Sequence, residues 1–99
     1  MNIRISNGAM RFRISNTELV ELLEENILQL SHITRNYYVR VGAMETPLFL
    51  DLDANKAMLI VDKTTLEEFS KQLPSKEGIE YKRDGLLLAL EVDVKKSKN

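Results

Sequence analysis

Cysteine is absent from this chain of 99 residues. That removes disulfide frameworks, thiolate metal sites and thiol nucleophiles together, and it fits a reducing cytoplasm. Glycine is scarce and its four residues are isolated, so no glycine-rich loop cradles a phosphate. The single histidine, His32, has no HxH or HExxH partner, and no serine stands in a G-x-S-x-G context. A basic excess is also missing. The net charge of -1 argues against general nucleic-acid binding, which needs positive charge to displace counterions. The longest apolar run, Leu86 to Leu90, is far too short to span a bilayer. The first residues alternate (Met1, Ile3 and Ile5 against Asn2 and Arg4) where a secretory leader has an apolar run. These absences point to a soluble, cytoplasmic protein that is not an enzyme and has no cofactor, metal or membrane association.

What is present suits one domain over residues 1–99. Apolar residues make up 43 % and charged residues 29 %, an ordinary balance that allows a core without metal or disulfide staples. Period-two alternation dominates the opening. Ile3 and Ile5 oppose Arg4 in facing, and after Asn7-Gly8, a type I′ turn signal, Met10, Phe12 and Ile14 alternate with Arg11 and Arg13. A two-residue loop there pairs Ser6 with Ala9, Ile5 with Met10, Arg4 with Arg11 and Ile3 with Phe12, which sets every apolar residue on one face. Ser15 with Glu18 is a capping-box pattern, and Leu19, Leu22, Leu23 and Ile27 follow at helical spacing with four glutamates on the wet side. Strand-like segments at Leu28–Thr34 and Tyr37–Gly42 close the first half.

The second half runs through the same stages. Leu48, Leu50 and Leu52 alternate, a turn falls near Ala54-Asn55, and Ala57, Leu59 and Val61 continue the face. Asp62 stands at an N-cap, Leu66, Phe69 and Leu73 make a second helical stripe, and Pro74 stops it. Ile79–Lys82, a turn at Asp84-Gly85 and a strand over Leu86–Val94 complete the pattern, and residues 95–99 form a charged tail. A shift of 47 residues sets Ile3 on Leu50, Ser15 on Asp62 and Leu22 on Phe69. The expected fold is therefore α+β: two similar ββαββ halves, 1–45 and 48–94, in one pseudo-symmetric domain of antiparallel sheets with two helices packed on them.

The opening Asn2-Ile3-Arg4-Ile5, then Arg11-Phe12-Arg13-Ile14-Ser15 and Glu18, resembles an uncharacterised family of small bacterial proteins. Its members begin with an Ile-Arg-Ile strand and an Arg-Phe-Arg strand before a Ser/Thr-capped helix. Leu90-Glu91-Val92-Asp93-Val94 looks like that family's closing strand, but Lys95-Lys96 stands where the family often carries a cysteine. The resemblance implies the fold and no activity.

Two surface features bear on function. Arg4 opposes Arg11 in the expected register, with Arg13 two residues on, and like charges in a cross-strand pair are destabilising. Arg40 and Tyr38 extend this stripe if their strand is adjacent. Such a face is either long arginine stems covering a sheet, with their heads on internal carboxylates, or a shallow site for a small anionic ligand or an acidic partner. The second hairpin is apolar on both sides, since Phe49 opposes Ile60 and Asp51 opposes Met58. That outer side calls for a cover, either the equally two-sided Leu86–Leu90 segment or a second subunit in a homodimer through Phe49, Met58 and Ile60. Asp51, Asp53 and Asn55 imitate the start of a calcium loop, but Lys56 replaces its glycine and Asp62 its terminal glutamate. The leading expectation is a non-catalytic binding or protein-interaction domain. The alternatives are a small anion- or nucleotide-binding protein using the arginine face, and a small enzyme with a site dispersed in sequence.

Overall fold

Eight strands and two helices follow one another in a computed structural model of the chain, which describes residues 1–31, 34–73 and 78–93. His32, Pro74, Val94 and the charged tail lie outside the described residues. The order is β1 (Asn2–Ser6), β2 (Ala9–Ser15), α1 (Asn16–Glu25), β3 (Ile27–Ser31), β4 (Asn36–Gly42), β5 (Leu48–Leu52), β6 (Lys56–Asp62), α2 (Lys63–Lys71), β7 (Ile79–Arg83) and β8 (Leu86–Asp93).

The β1–β2, β5–β6 and β7–β8 hairpins form where alternation meets a turn signal. β1 and β2 pair antiparallel with Ile3 against Phe12 and Arg4 against Arg11, and β5 and β6 pair with Phe49 against Ile60 and Asp51 against Met58. The turns differ from expectation in one detail. A type I′ turn needs positive φ at both central residues. Asp84 and Gly85 meet that at 54° and 79°, whereas at Asn7-Gly8 only Gly8 does, at 79°. The Gly8 carbonyl accepts the Leu87 N–H at 2.8 Å, so this turn is also held by β8.

The helices start as their caps dictate. The Ser15 hydroxyl accepts the Glu18 N–H while the Glu18 carboxylate accepts the Ser15 N–H, and the Asp62 carboxylate accepts the Thr65 N–H. α1 ends earlier than the stripe through Ile27 implies. Asn26 turns left-handed at φ 69° and sends Ile27 into β3, where it is exposed.

The hairpins assemble into two mixed four-stranded sheets, β1-β2-β8-β7 and β3-β4-β6-β5. The expectation of antiparallel sheets is corrected at their centres, because β2 pairs parallel with β8 and β4 parallel with β6. Each sheet takes one hairpin from each half of the chain. β2 and β8 are joined through the rest of the molecule, and β4 reaches β6 by way of β5 on its far side. Neither central pair is therefore a tight hairpin, and both can run parallel. Both inner faces and both helices share one core that includes Phe12, Ile14, Leu22, Val39, Leu59, Leu66 and Leu90, and no polar or charged residue is buried among the described residues. The hairpin tips overrun this core: Ile5 and Leu52 have inner-face parity but are 67 % and 54 % exposed.

Candidate functional site

The outer face of the β1-β2-β8-β7 sheet is built from residues that alternate with its core set. Register places Arg4, Arg11, Ala89 and Glu80 in one row across all four strands, and Asn2, Arg13 and Glu91 in the next. Ala89 is fully buried, and its small side chain lets Arg11 reach over β8 to Glu80, Nη1 to Oε2 at 3.4 Å. The same nitrogen donates to Glu91 Oε2 at 3.0 Å, and Arg13 Nη2 meets Glu91 Oε1 at 3.5 Å. Two carboxylates thus engage two of the three arginines. Arg4 forms no hydrogen bond or ion pair among the described residues and remains exposed. Lys82 lies on this face too, beside Leu87.

Tyr38 and Arg40 are not brought to this stripe. β4 belongs to the other sheet, where its nearest neighbours are β3 and β6. Sequence inspection misses the partners Glu80 and Glu91 because they lie 69 and 80 residues from Arg11, across a parallel pairing that leaves no local pattern.

The outer face of the β3-β4-β6-β5 sheet has a different chemistry. One row reads Ile27, Arg40, Ile60 and Phe49, and the next Gln29, Tyr38, Met58 and Asp51. Phe49 is 43 % exposed and Ile27 41 %. β8 lies in the other sheet, but Phe49 at the β5 edge shares a cleft with its Leu86 and Leu88, while Met58 and Ile60 lie on the central strand β6. Leu87 and Ala89 take the outer face of their own sheet, with Ala89 beneath Arg11. Neither Arg40 nor Asp51 has an ion pair or hydrogen bond among the described residues.

Two of the acidic residues that imitate a metal loop in sequence, Asp53 and Asp62, bind backbone N–H groups. Asp53 Oδ1 accepts the N–H groups of Asn55 and Lys56 at 2.8 and 2.9 Å, shaping the β5–β6 turn. The Asn55 N–H first, with Lys56 and Arg35 assisting, holds the Asp53 carboxyl below its ordinary value. Asp62 is likewise lowered, by the Met44 N–H and then by the Thr65 hydroxyl and N–H. At Glu18 burial pushes upward, but the Met1 ammonium at 2.7 Å and the Ser15 groups outweigh it and lower the carboxyl. Among the described residues no cluster of three or more His, Cys, Asp or Glu side chains is arranged to hold a metal ion.

The sheets leave a cleft of about 430 Å³ lined by Leu48, Phe49 and Leu50 of β5, by Tyr81 and Arg83 of β7, by Asp84 of the turn and by Leu86 and Leu88 of β8. A smaller one of about 260 Å³ is lined by Met1, Asn2, Ile3, Leu30 and Tyr37. Both lie where an edge strand of one sheet passes strands of the other, so they are seams of the architecture. No helix among the described residues is long and apolar enough to cross a membrane. No family model matches the chain, and no curated protein matches it.

Proposed function

We propose that this protein is a non-catalytic interaction domain that recognises a partner through the outer face of the β3-β4-β6-β5 sheet. One observation carries the reading: the row Ile27, Arg40, Ile60, Phe49 is largely apolar, and Ile27 and Phe49 at its two edges are exposed. An exposed apolar patch within a polar surround is the ordinary mark of a contact surface. The test is a photo-crosslinking amino acid placed at Phe49 in cells, with a second placed at Arg13 as control. An adduct from position 49 and none from position 13 supports the reading, and no adduct from position 49 overturns it.

A second reading keeps the arginine face as a site for a small anion. Arg4 is unpaired among the described residues, and the four bases Arg4, Arg11, Arg13 and Lys82 exceed the three acids Glu80, Glu91 and Asp93 on that face. Inorganic phosphate titrated at low salt should then shift the amide resonances of β1 and β2, and Arg4→Gln should abolish the shift. Equal shifts in both proteins remove this site.

The domain setting belongs to the same proposal. The two halves are read as a structural repeat, supported by matching registers. Ile3 with Phe12 has its counterpart in Leu50 with Leu59, Leu28 with Val39 in Ile79 with Leu90, and Ala9 with Leu87 in Lys56 with Asn36. A reducing, cytoplasmic location is supported by the lack of cysteine. The likeness of the opening strands to the small bacterial family supports a shared fold and suggests no activity.

A further inference from the structure

We infer that the partner of this face is a second copy of the same chain, joined by a two-fold contact in which Arg40 of each copy meets Asp51 of the other. The inference rests on the interaction reading above and gives that surface an occupant. Arg40 sits in its row between Ile27 and Ile60, and Asp51 beside Met58 at the β5 edge, with no ion pair for either among the described residues. Covering an apolar face strips water from the charges within it, and a desolvated charge without a counter-ion is costly. A partner must therefore bring an acid to Arg40 and a base to Asp51.

The spacing of those two charges selects a second copy. They lie two strands and one side-chain row apart, about 12 Å in a flat sheet. An unrelated partner would need a base and an acid at that same separation, whereas a copy of this chain carries both by construction. In an isologous contact residue i meets j and j meets i, so one geometry satisfies all four charges. The required axis lies in the plane of the face and crosses β6 between Met58 and Ile60. That places the two half-buried apolar side chains at the centre of the contact, with Phe49 and Tyr38 around them. The opposite sheet shows the contrast: there Glu91 and Glu80 meet Arg11 within the chain. A four-stranded face of strands five to seven residues long is small for a specific interface, so the dimer is expected to dissociate on dilution, with Kd on the order of micromolar.

Sedimentation velocity over a concentration series tests this with four samples: the wild type, Arg40→Asp, Asp51→Arg, and an equimolar mixture of the two variants. The wild type should self-associate. Each variant alone sets like charges against each other twice and should associate about tenfold more weakly or worse. The mixture should recover association, because both contacts then join Asp to Arg. Both substitutions are at exposed positions, and unchanged thermal melts at low concentration confirm intact folding. A wild type that stays monomeric up to about 200 μM, well above the expected Kd, overturns the second-copy inference. So do variants that associate as the wild type does. The crosslink at Phe49 separates the two levels. An adduct of twice the chain's mass supports the dimer. An adduct of another mass overturns it while leaving the interaction surface standing, and no adduct overturns both.

Discussion

Arg11 engages Glu80 and Glu91 with one nitrogen, but its side chain is 34 % exposed, and Glu80 is 51 % exposed. Solvent screening limits such pairs to about 0–1 kcal/mol. Arg11→Gln should therefore cost about 0.5–1 kcal/mol in a urea titration at low salt and less in high salt. Arg4→Gln removes a like-charge cross-strand neighbour and should be neutral or stabilising by about some tenths of a kcal/mol. A loss at Arg4 equal to that at Arg11 would show that Arg4 has a partner in solution. The carboxylates predict the acid limb of stability. Glu18, Asp53 and Asp62 are all lowered in the folded protein, so the unfolded chain binds their protons more readily. Their contribution is complete above the ordinary carboxylate range and is lost as pH falls through it toward the depressed folded values. Melting temperature should drop along that course, and Glu18→Gln should flatten it. An unchanged profile in that variant would remove Glu18 from the acid response.

At the scale of elements, caps and turns can be tested singly. Ser15→Ala should cost about 1 kcal/mol, because it leaves the Glu18 N–H without its acceptor. Calorimetry that shows no loss would mean that the Glu18 carboxylate, already held by the Met1 ammonium, secures the turn by itself. Gly78 has a different constraint. A Cβ there would run into the carbonyl oxygen of Leu90, in backbone that cannot swing aside, since β8 is paired on both sides. Gly78→Ala should cost about 1–3 kcal/mol, as overpacking does, and a melt within a degree of wild type would show that β7 can shift. The sequence identifies these elements through local physics. Alternation and turn residues set the hairpin registers, and Ser15 and Asp62 mark both helix starts. It misreads the end of α1, because Ile27 continues the helical spacing and only the left-handed Asn26 diverts it. It also misses the turn type at Asn7-Gly8, where a hydrogen bond from β8 acts on a distant loop.

For the whole molecule, the decisive feature is that both sheets draw on both halves. β2 without β8, or β4 without β6, is a two-stranded hairpin with an open edge, and such hairpins are marginal in water. A fragment of residues 1–45 should therefore be unfolded or self-associated by circular dichroism and sedimentation, and mixing it with 46–99 should restore the native spectrum. A fragment that folds as a stable monomer would contradict the shared core. This exchange of hairpins also explains why the arginine stripe divides. Arg4, Arg11 and Arg13 share a face because one hairpin fixes them, while Tyr38 and Arg40 go to the other sheet. The sequence by itself determined the β1–β2 and β5–β6 hairpins with their registers, both caps and the inner side of most strands, since each depends on residues a few positions apart. The tertiary structure alone decided the parallel joins, the carboxylates that meet Arg11, and the exposure of Phe49. Those depend on which hairpin lies beside which, a choice between pairings of similar local quality that only burial of the common core resolves.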